Sequence, residues 1–385
     1  MLSTIFKLGI IGVFLSIIPV YFRYNDPGNV RCKAIDLGPL PELKGVLAVN
    51  DKLSNVEYVL KDQVEGPESI AAIGETLYTG LYDGRVVKIE NGKIVKSIKL
   101  TKEKECGTYD TEPRCGRPLG IRRIGNVGES FYVVDAYRGI EIVDFKEGTH
   151  RLVFNASQPI AGKPARFLND LDLLNSDELL ITDTSATYGR RNFMFPIIEG
   201  LDDGRLFHLK VSTGETKLLV DRLAFANGVQ LLPDQSAVLV AELGRGRIIK
   251  YHLNGAKKGK TEIWADRLPG LPDNIRLDSQ NNLWVGLSLL RYNGAESLLD
   301  KLAPYPTLRQ FVLDVTPAKW WLTLVPLTRP SYAMVLKMDL NGKILSTLQD
   351  PNGEKLGAIS EVLETGNYLY FGSFDAPYIG RLKKM

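Results

Sequence analysis

Four short stretches carry oxygen-bearing side chains beside turn residues. They are Glu65-Gly66-Pro67-Glu68, Phe167-Leu168-Asn169-Asp170, Phe225-Ala226-Asn227-Gly228 and Pro272-Asp273-Asn274-Ile275. Carboxylates and carboxamides are hard oxygen donors, and calcium takes about six to eight of them, so calcium coordination is the chemistry that would unite the stretches. Any one of them is also ordinary turn chemistry, because Asn-Gly and Asn-Asp tolerate left-handed backbone. Recurrence sets them apart, since each falls in a different unit of a repeat. Asp273 and Asn227 are the candidate catalytic pair. Asp273 would be the carboxylate that takes a proton from water, if coordination leaves one of its oxygens over.

The elements that must position these residues are short strands. Apolar runs recur at Leu77–Gly80, Phe131–Asp135, Leu179–Asp183, Val238–Glu242, Leu283–Gly286 and Leu369–Gly372. Each stops at a small or acidic residue. A second strand follows at Arg85–Ile89, Gly139–Val143, Arg205–Leu209, Arg247–His252 and Gly380–Leu382, and the fifth reaches its partner, Met334–Leu340, only after a long insertion. The strands alternate and are rich in β-branched residues. No amphipathic helix separates them, which argues against a parallel βαβ fold. Units spaced by roughly 45–60 residues match four-stranded propeller blades. The spacing predicts an all-β, six-bladed β-propeller over residues 51–385. A β-sandwich would need only about 100 residues. In a propeller the inner strand of every blade faces the axis, so loops from several blades can meet at one central ion.

Of the 385 residues, 44% are apolar and 24% charged, the balance of a folded globular chain. The net charge of +3 is spread along the sequence with no basic stripe, which excludes nucleic acid as a partner. Residues 288–330 turn helical and apolar, with Leu298-Leu299, Leu302, Leu308, Phe311-Val312 and Trp320-Trp321-Leu322. This insertion reads either as a lid or bilayer-touching surface, or as helices packed on the propeller rim.

From Leu8 to Phe22 there is no charge, and from Leu2 to Phe22 the only one is Lys7. Such a run predicts a membrane anchor over residues 7–22, with a cytoplasmic tail at 1–6 and a stalk at 23–50 that carries Pro27-Gly28, Pro39 and Pro41. The run ends Pro19-Val20-Tyr21-Phe22-Arg23, without the small-residue site that cleavage requires. Arg23, Arg31 and Lys33 would favour a cytosolic domain by charge count. The sequon Asn155-Ala156-Ser157 and the Cys106/Cys115 pair, which has no metal-ligand partners nearby, favour a luminal or extracellular one. The expectation is a single-pass type II protein of the endoplasmic reticulum or plasma membrane, with Cys32 left over in the stalk.

Longer strings carry a resemblance. Glu65-Gly-Pro-Glu-Ser-Ile-Ala71, Tyr82-Asp-Gly-Arg-Val-Val-Lys88, Cys115-Gly-Arg-Pro-Leu-Gly-Ile-Arg122, Val134-Asp-Ala-Tyr-Arg-Gly139, Glu199-Gly-Leu-Asp-Asp-Gly-Arg-Leu206, Pro269-Gly-Leu-Pro-Asp-Asn-Ile-Arg276 and Leu369-Tyr-Phe-Gly-Ser-Phe374 resemble the strictosidine-synthase-like six-bladed propellers. The match runs from about residue 55 to the end. That family is similar in fold to paraoxonases and gluconolactonase-like calcium propellers. The resemblance implies a calcium held by Glu65, Asn169, Asn227, Asp273 and Asn274, with Glu68 as the alternative to Glu65. It implies a second, structural calcium at Asp170, and hydrolysis of small esters or lactones. Two departures stand out. The paraoxonase histidine pair falls on Leu119 and Ala136, and the chain has only His150, His208 and His252. The glutamate of strictosidine synthase falls on Ser360, with Glu361 one residue off and so on the opposite face of a strand. No G-x-S-x-G or H-E-x-x-H motif supports a serine or zinc hydrolase. The alternative is a non-enzymatic cell-surface or ER glycoprotein whose calcium is structural.

Overall fold

A computed structural model describes residues 31–294 and 296–384. Its strands form six antiparallel four-stranded sheets. Blade 1 is Ile70–Ile73, Thr76–Gly80, Arg85–Glu90 and Lys93–Lys99. Blade 2 is Pro118–Arg123, Ser130–Asp135, Gly139–Asp144 and Thr149–Asn155. Blade 3 is Leu168–Leu173, Glu178–Asp183, Gly204–Lys210 and Glu215–Leu223. Blade 4 is Ala226–Leu231, Ala237–Glu242, Arg247–His252 and Thr261–Ala265. Blade 5 is Gly270–Leu277, Leu283–Leu290, Ala333–Met338 and Ile344–Asp350. Blade 6 takes Glu361–Glu364, Tyr368–Gly372 and Ile379–Lys383 from the end of the chain and its outer strand, Glu57–Val59, from the start. This is the six-bladed propeller the repeats predict.

The blades are held by what lies between them. Six apolar clusters each join one pair of neighbouring blades. Alternation along one strand builds two of these clusters at once, because successive side chains point to opposite faces. In blade 2, Phe131 and Val133 pack toward blade 1, while Tyr132 and Val134 pack toward blade 3. A strand buried on both faces reads as a continuous apolar run, and for that reason Phe131–Val134 shows no polar interruption. Outer strands have a wet face and alternate: Lys93–Lys99 is largely exposed at Lys93, Val95 and Ser97.

Blade 6 closes the ring. Glu57 pairs with Arg381, Tyr58 with Gly380 and Val59 with Ile379. The Arg381 guanidinium donates to Glu57 at 2.6 Å. The segment expected to stand off as a stalk is instead docked along the domain over its described part. The Cys32 backbone N–H donates to Gln310, Lys33 donates to the Glu199 carbonyl, and Asn50 and Gln349 join the Gly45–Leu47 turn to blade 5. Residues 7–22, the expected anchor, lie outside the described residues. Among the described residues no helix is long and apolar enough to cross a membrane.

Between blade strands Leu283–Leu290 and Ala333–Met338 the insertion folds into three helices, Leu298–Leu302, Pro306–Val315 and Trp321–Thr328. The first opens on a capping box, in which Ser297 Oγ accepts from the Asp300 N–H and Asp300 accepts from the Ser297 N–H.

Phe131 is fully buried, with the rings of Tyr78 and Phe145 at 4.4 and 6.0 Å. Phe131→Ala is expected to cost about 3–5 kcal/mol of stability, read as a lower denaturation midpoint at unchanged secondary structure. A loss within the error of the measurement would mean that the blade 1–blade 2 seam is not tightly packed.

Candidate metal centre

The site begins with a fault in the strands. In blades 2 to 5 the inner strand slips out of register with its neighbour, between Pro118 and Ile121, Leu168 and Leu171, Ala226 and Val229, and Pro272 and Ile275. The residues inside the slips are Leu119-Gly120, Asn169-Asp170, Asn227-Gly228 and Asp273-Asn274. A bulge re-aims side chains that a regular strand would bury against its neighbours. Around the axis the bulges press on one another. A Cβ on Gly228 would come within 2.6 Å of Asn274 Cα, and one on Gly120 within 2.8 Å of Asp170 Cα. Glycine is required there by close backbone approach.

The bulges gather the oxygens. The side-chain Oδ1 atoms of Asn169, Asn227, Asp273 and Asn274 are all buried, and none has a hydrogen-bond partner. An unsatisfied buried polar atom costs about 1–3 kcal/mol, and three of these residues, Asn169, Asn227 and Asp273, line one chamber. Glu68, 5% exposed, lines the same chamber as Asn169, Asn227 and Asp273. Glu65 is exposed and takes no part in that lining. Burial pushes the Glu68 carboxyl above its ordinary value, against the nearby Arg117 and Arg190 guanidiniums. Burial together with Glu68 pushes Asp273 well above the carboxylate range. The Glu68 and Asp273 carboxylates with the Asn169, Asn227 and Asn274 amide oxygens have the chemistry of a hard divalent-cation donor set. The donor set is all oxygen and mostly amide. It contains no sulfur or imidazole for zinc. Calcium is the ion that Glu68, Asn169, Asn227, Asp273 and Asn274 would hold.

Asp170 does something else. Its Oδ2 accepts from Val229 N–H at 2.9 Å and from Arg276 Nη1 at 2.8 Å, and its Oδ1 accepts from Arg276 Nη2 at 3.1 Å. Burial alone would raise its pKa, but Arg276 and Arg122 hold it below the ordinary value. The expected second, structural calcium finds Asp170 already committed to a guanidinium. Arg276 also pairs with Glu361 and donates to Ser69 Oγ at 3.1 Å. Glu361 in turn accepts from the Ile70 N–H at 2.8 Å. The residue one position off the strictosidine synthase glutamate is thus part of an axial ion cluster, and Ser360 Oγ accepts from the Phe374 N–H.

Above the oxygens lies a chamber of about 150 Å³, walled by Phe167, Phe193, Phe225, Leu243 and Leu271 and covered by Trp321. The places where histidines were sought, Leu119 and Ala136, are buried in the same apolar cluster. His150, His208 and His252 pair with Glu141, Glu178 and Glu262 elsewhere, at 3.1, 3.4 and 3.0 Å. Three buried charged residues beside the chamber, Arg190, Glu112 and Arg117, do not stand out in the sequence. Arg190 lines the chamber, held by Glu112 at 2.9 Å and flanked by the Tyr82 and Phe193 rings. Glu112 is fully buried and also accepts from Tyr137 Oη at 2.5 Å. Arg117 is fully buried 3.6 Å from Glu68, and burial lowers its pKa to about 10. The only sequence signal for any of them was the string Cys115-Gly-Arg-Pro. Cys106 and Cys115 form a disulfide, which fastens the loop that carries Glu112. Asn155 is exposed at the end of an outer strand, its Oδ1 accepting from Ser157 N and Oγ.

The fold and this site define a class, the six-bladed propellers with an axial, oxygen-lined floor. Solved structures of that fold include a gluconolactonase from Xanthomonas campestris (TM-score 0.54, 16% identity, covering 91% of this chain and 96% of that one) and a regucalcin from Agrobacterium tumefaciens described as a calcium-binding protein (TM-score 0.52, 12% identity, covering 84% and 92%). The profile described as Strictosidine synthase matches residues 169–256, and that described as Strictosidine synthase-like, N-terminal, matches residues 45–89. The adipocyte plasma membrane-associated proteins of Bos taurus and Homo sapiens are each 40% identical over 344 and 343 residues, covering 89% of this chain and 82% and 81% of theirs. The Drosophila melanogaster relative named Hemomucin is 30% identical over 372 residues. The chain belongs to the adipocyte plasma membrane-associated protein family of strictosidine-synthase-like propellers.

Replacing Arg276 by Met would take the guanidinium from Glu361 and leave Asp170 with only Arg122, 3.6 Å away. Arg276→Met is expected to lose about 3–5 kcal/mol in chemical denaturation. An unchanged midpoint would show that another cation reaches the axis.

Proposed function

We propose that the protein is a membrane-anchored, calcium-dependent hydrolase of the arylesterase or lactonase type that acts on small esters. The observation that carries this reading is the cluster of orphaned oxygens at the floor of an apolar chamber. Calcium bound there would supply a Lewis acid for a carbonyl oxygen. The chain's own residues do the rest. The aromatic and aliphatic walls hold the apolar part of an ester and exclude water from it. Arg190, fixed by Glu112, offers a cationic edge to the chamber. Asn227 and Asn169 orient their amide oxygens toward the floor. Asp273 would take a proton from water through a carboxylate oxygen that coordination leaves over. No histidine stands at the floor, and general acid–base groups contribute about 10²–10⁴-fold, so turnover is expected to fall below that of enzymes that keep one. The apolar Leu119 and Ala136 support a second reading, a propeller glycoprotein in which calcium only pins the inner strands.

Phenyl acetate hydrolysis by the full chain separates the two. The enzyme reading expects activity with calcium, its loss in chelator, and a fall of about a hundredfold in Asn227→Ala. Hydrolysis that ignores both chelator and substitution discards it. The structural reading expects no turnover, yet calcium at a hundred times its dissociation constant should still add about 2.7 kcal/mol of stability.

The anchor at residues 7–22 would place the propeller in the lumen or outside the cell. The disulfide and the exposed Asn155 support that side. A glycosidase-sensitive mass shift that vanishes in Asn155→Gln is the expected result. Chain expressed in cells without any such shift would remove the sequon as support.

A further inference from the structure

The insertion helices have two apolar sides. Their inner side, with Leu299, Leu302, Val312 and Trp321, covers the chamber. Their outer side is apolar too, which is unusual for a surface helix, since the face away from the core is normally polar. On the Pro306–Val315 helix, Arg309, Gln310 and Leu313 are buried, whereas Leu308 and Val315, seven positions apart and hence on one face, are 45% and 57% exposed. Tyr305, Trp320 and Leu327 are 59%, 57% and 76% exposed. Half of the exposed large hydrophobic side chains among the described residues fall between Leu298 and Leu327. Lys301 and Lys319 stand exposed among them. Apolar side chains mixed with Trp, Tyr and Lys are the composition of a surface that lies in a membrane interface.

The path of the chain says where a bilayer would be. The described structure begins at Arg31, and Arg31 is tied to this same helix. Its backbone N–H donates to Gln310 Oε1 at 2.9 Å, and its guanidinium lies 3.6 Å from Asp314. Arg309 adds a staple, donating to the backbone carbonyls of Ile198, Lys33 and Ala303. Only eight residues, 23–30, separate the uncharged stretch Leu8–Phe22 from Arg31. Eight residues reach at most about 30 Å when fully extended, so a membrane holding that stretch lies within that distance of the insertion. Laying Leu8–Phe22 over the face instead would move the exposed apolar surface without removing it, because Ser16 and Tyr21 carry the only polar side-chain groups in that stretch.

We propose that the outer face of the three insertion helices, centred on Leu308, Val315, Trp320 and Leu327, docks on the lipid bilayer that holds the anchor, so that the chamber's cover lies on the membrane. The proposal uses the anchor reading for reach and is independent of hydrolysis.

The test uses the full chain in phosphatidylcholine vesicles, with ordinary or brominated acyl chains. Bromine quenches tryptophan only on contact within the acyl region. Docking expects the protein to float with the vesicles and Trp320 emission to fall roughly two-fold in brominated lipid, as befits a side chain seated at the headgroup–acyl boundary. The quenched component should be absent in Trp320→Phe and retained in Trp264→Phe, whose ring packs between blades 4 and 5. Leu308→Asp combined with Leu327→Asp, both at exposed positions, should abolish the quenching while the protein still floats. Flotation without quenching overturns the docking and leaves the anchor standing. Shielding of Trp320 only on addition of a second protein overturns it in favour of a protein partner. Failure to float overturns anchor and docking together. None of these outcomes bears on phenyl acetate hydrolysis.

Discussion

Everything in this molecule answers to the narrowness of its axis. Inner strands from separate blades converge there, and the backbone itself is what collides. A Cβ on Gly228 would sit 2.6 Å from the Asp273 carbonyl oxygen, and one on Gly120 2.8 Å from Asp170 Cα. Such a place cannot be filled with bulky apolar side chains as the spaces between blades are. It is filled with polar atoms and charge, and buried charge must be paired. The chain solves the problem twice. Arg276 is a covalently attached cation for Asp170 and Glu361. Glu68 and Asp273, with the orphaned amide oxygens beside them, call for a cation that arrives from outside.

Much of the fold was legible because one strand serves two interfaces. Phe131–Val134 had to be apolar at every position to feed the clusters on both sides, and such runs stand out. The outer strands were harder, since half of each faces water. Glu57–Val59 was not recognisable at all, because its pairing partner lies at the other end of the chain and no local turn announces it. The floor was legible for a different reason. A bulge that aims a side chain at the axis needs a residue tolerant of irregular backbone, so Asn-Asp, Asn-Gly and Asp-Asn appear where the register slips.

What the sequence hid is the set of partners that come from far away. Glu65 and Glu68 both sit beside turn residues, and only the tertiary path puts one on the surface and the other in the chamber. Asp170 looked like a ligand as much as Asn169 did. Its neighbour decides, and Arg276 is 106 residues away in sequence. Arg190 and Glu112 meet over 78 residues, through a loop that the Cys106–Cys115 disulfide pins down. Charge pairing of this kind leaves no local pattern, whereas turn chemistry does.

The closing strand has a consequence for biogenesis. Glu57 meets Arg381 across 324 residues, so the first strand of the propeller can pair only after all the other blade strands have been made. Domains usually fold from the N-terminal side as they emerge. Here the blades can form one after another, yet the ring stays open until the end. Throughout that interval Glu57–Val59 and the open side of the growing stack are unpaired edges, the kind of backbone that captures foreign strands. A protein built this way depends on what shields that edge while synthesis runs, and its yield is governed by the time the ring stays open as much as by the stability of the closed form.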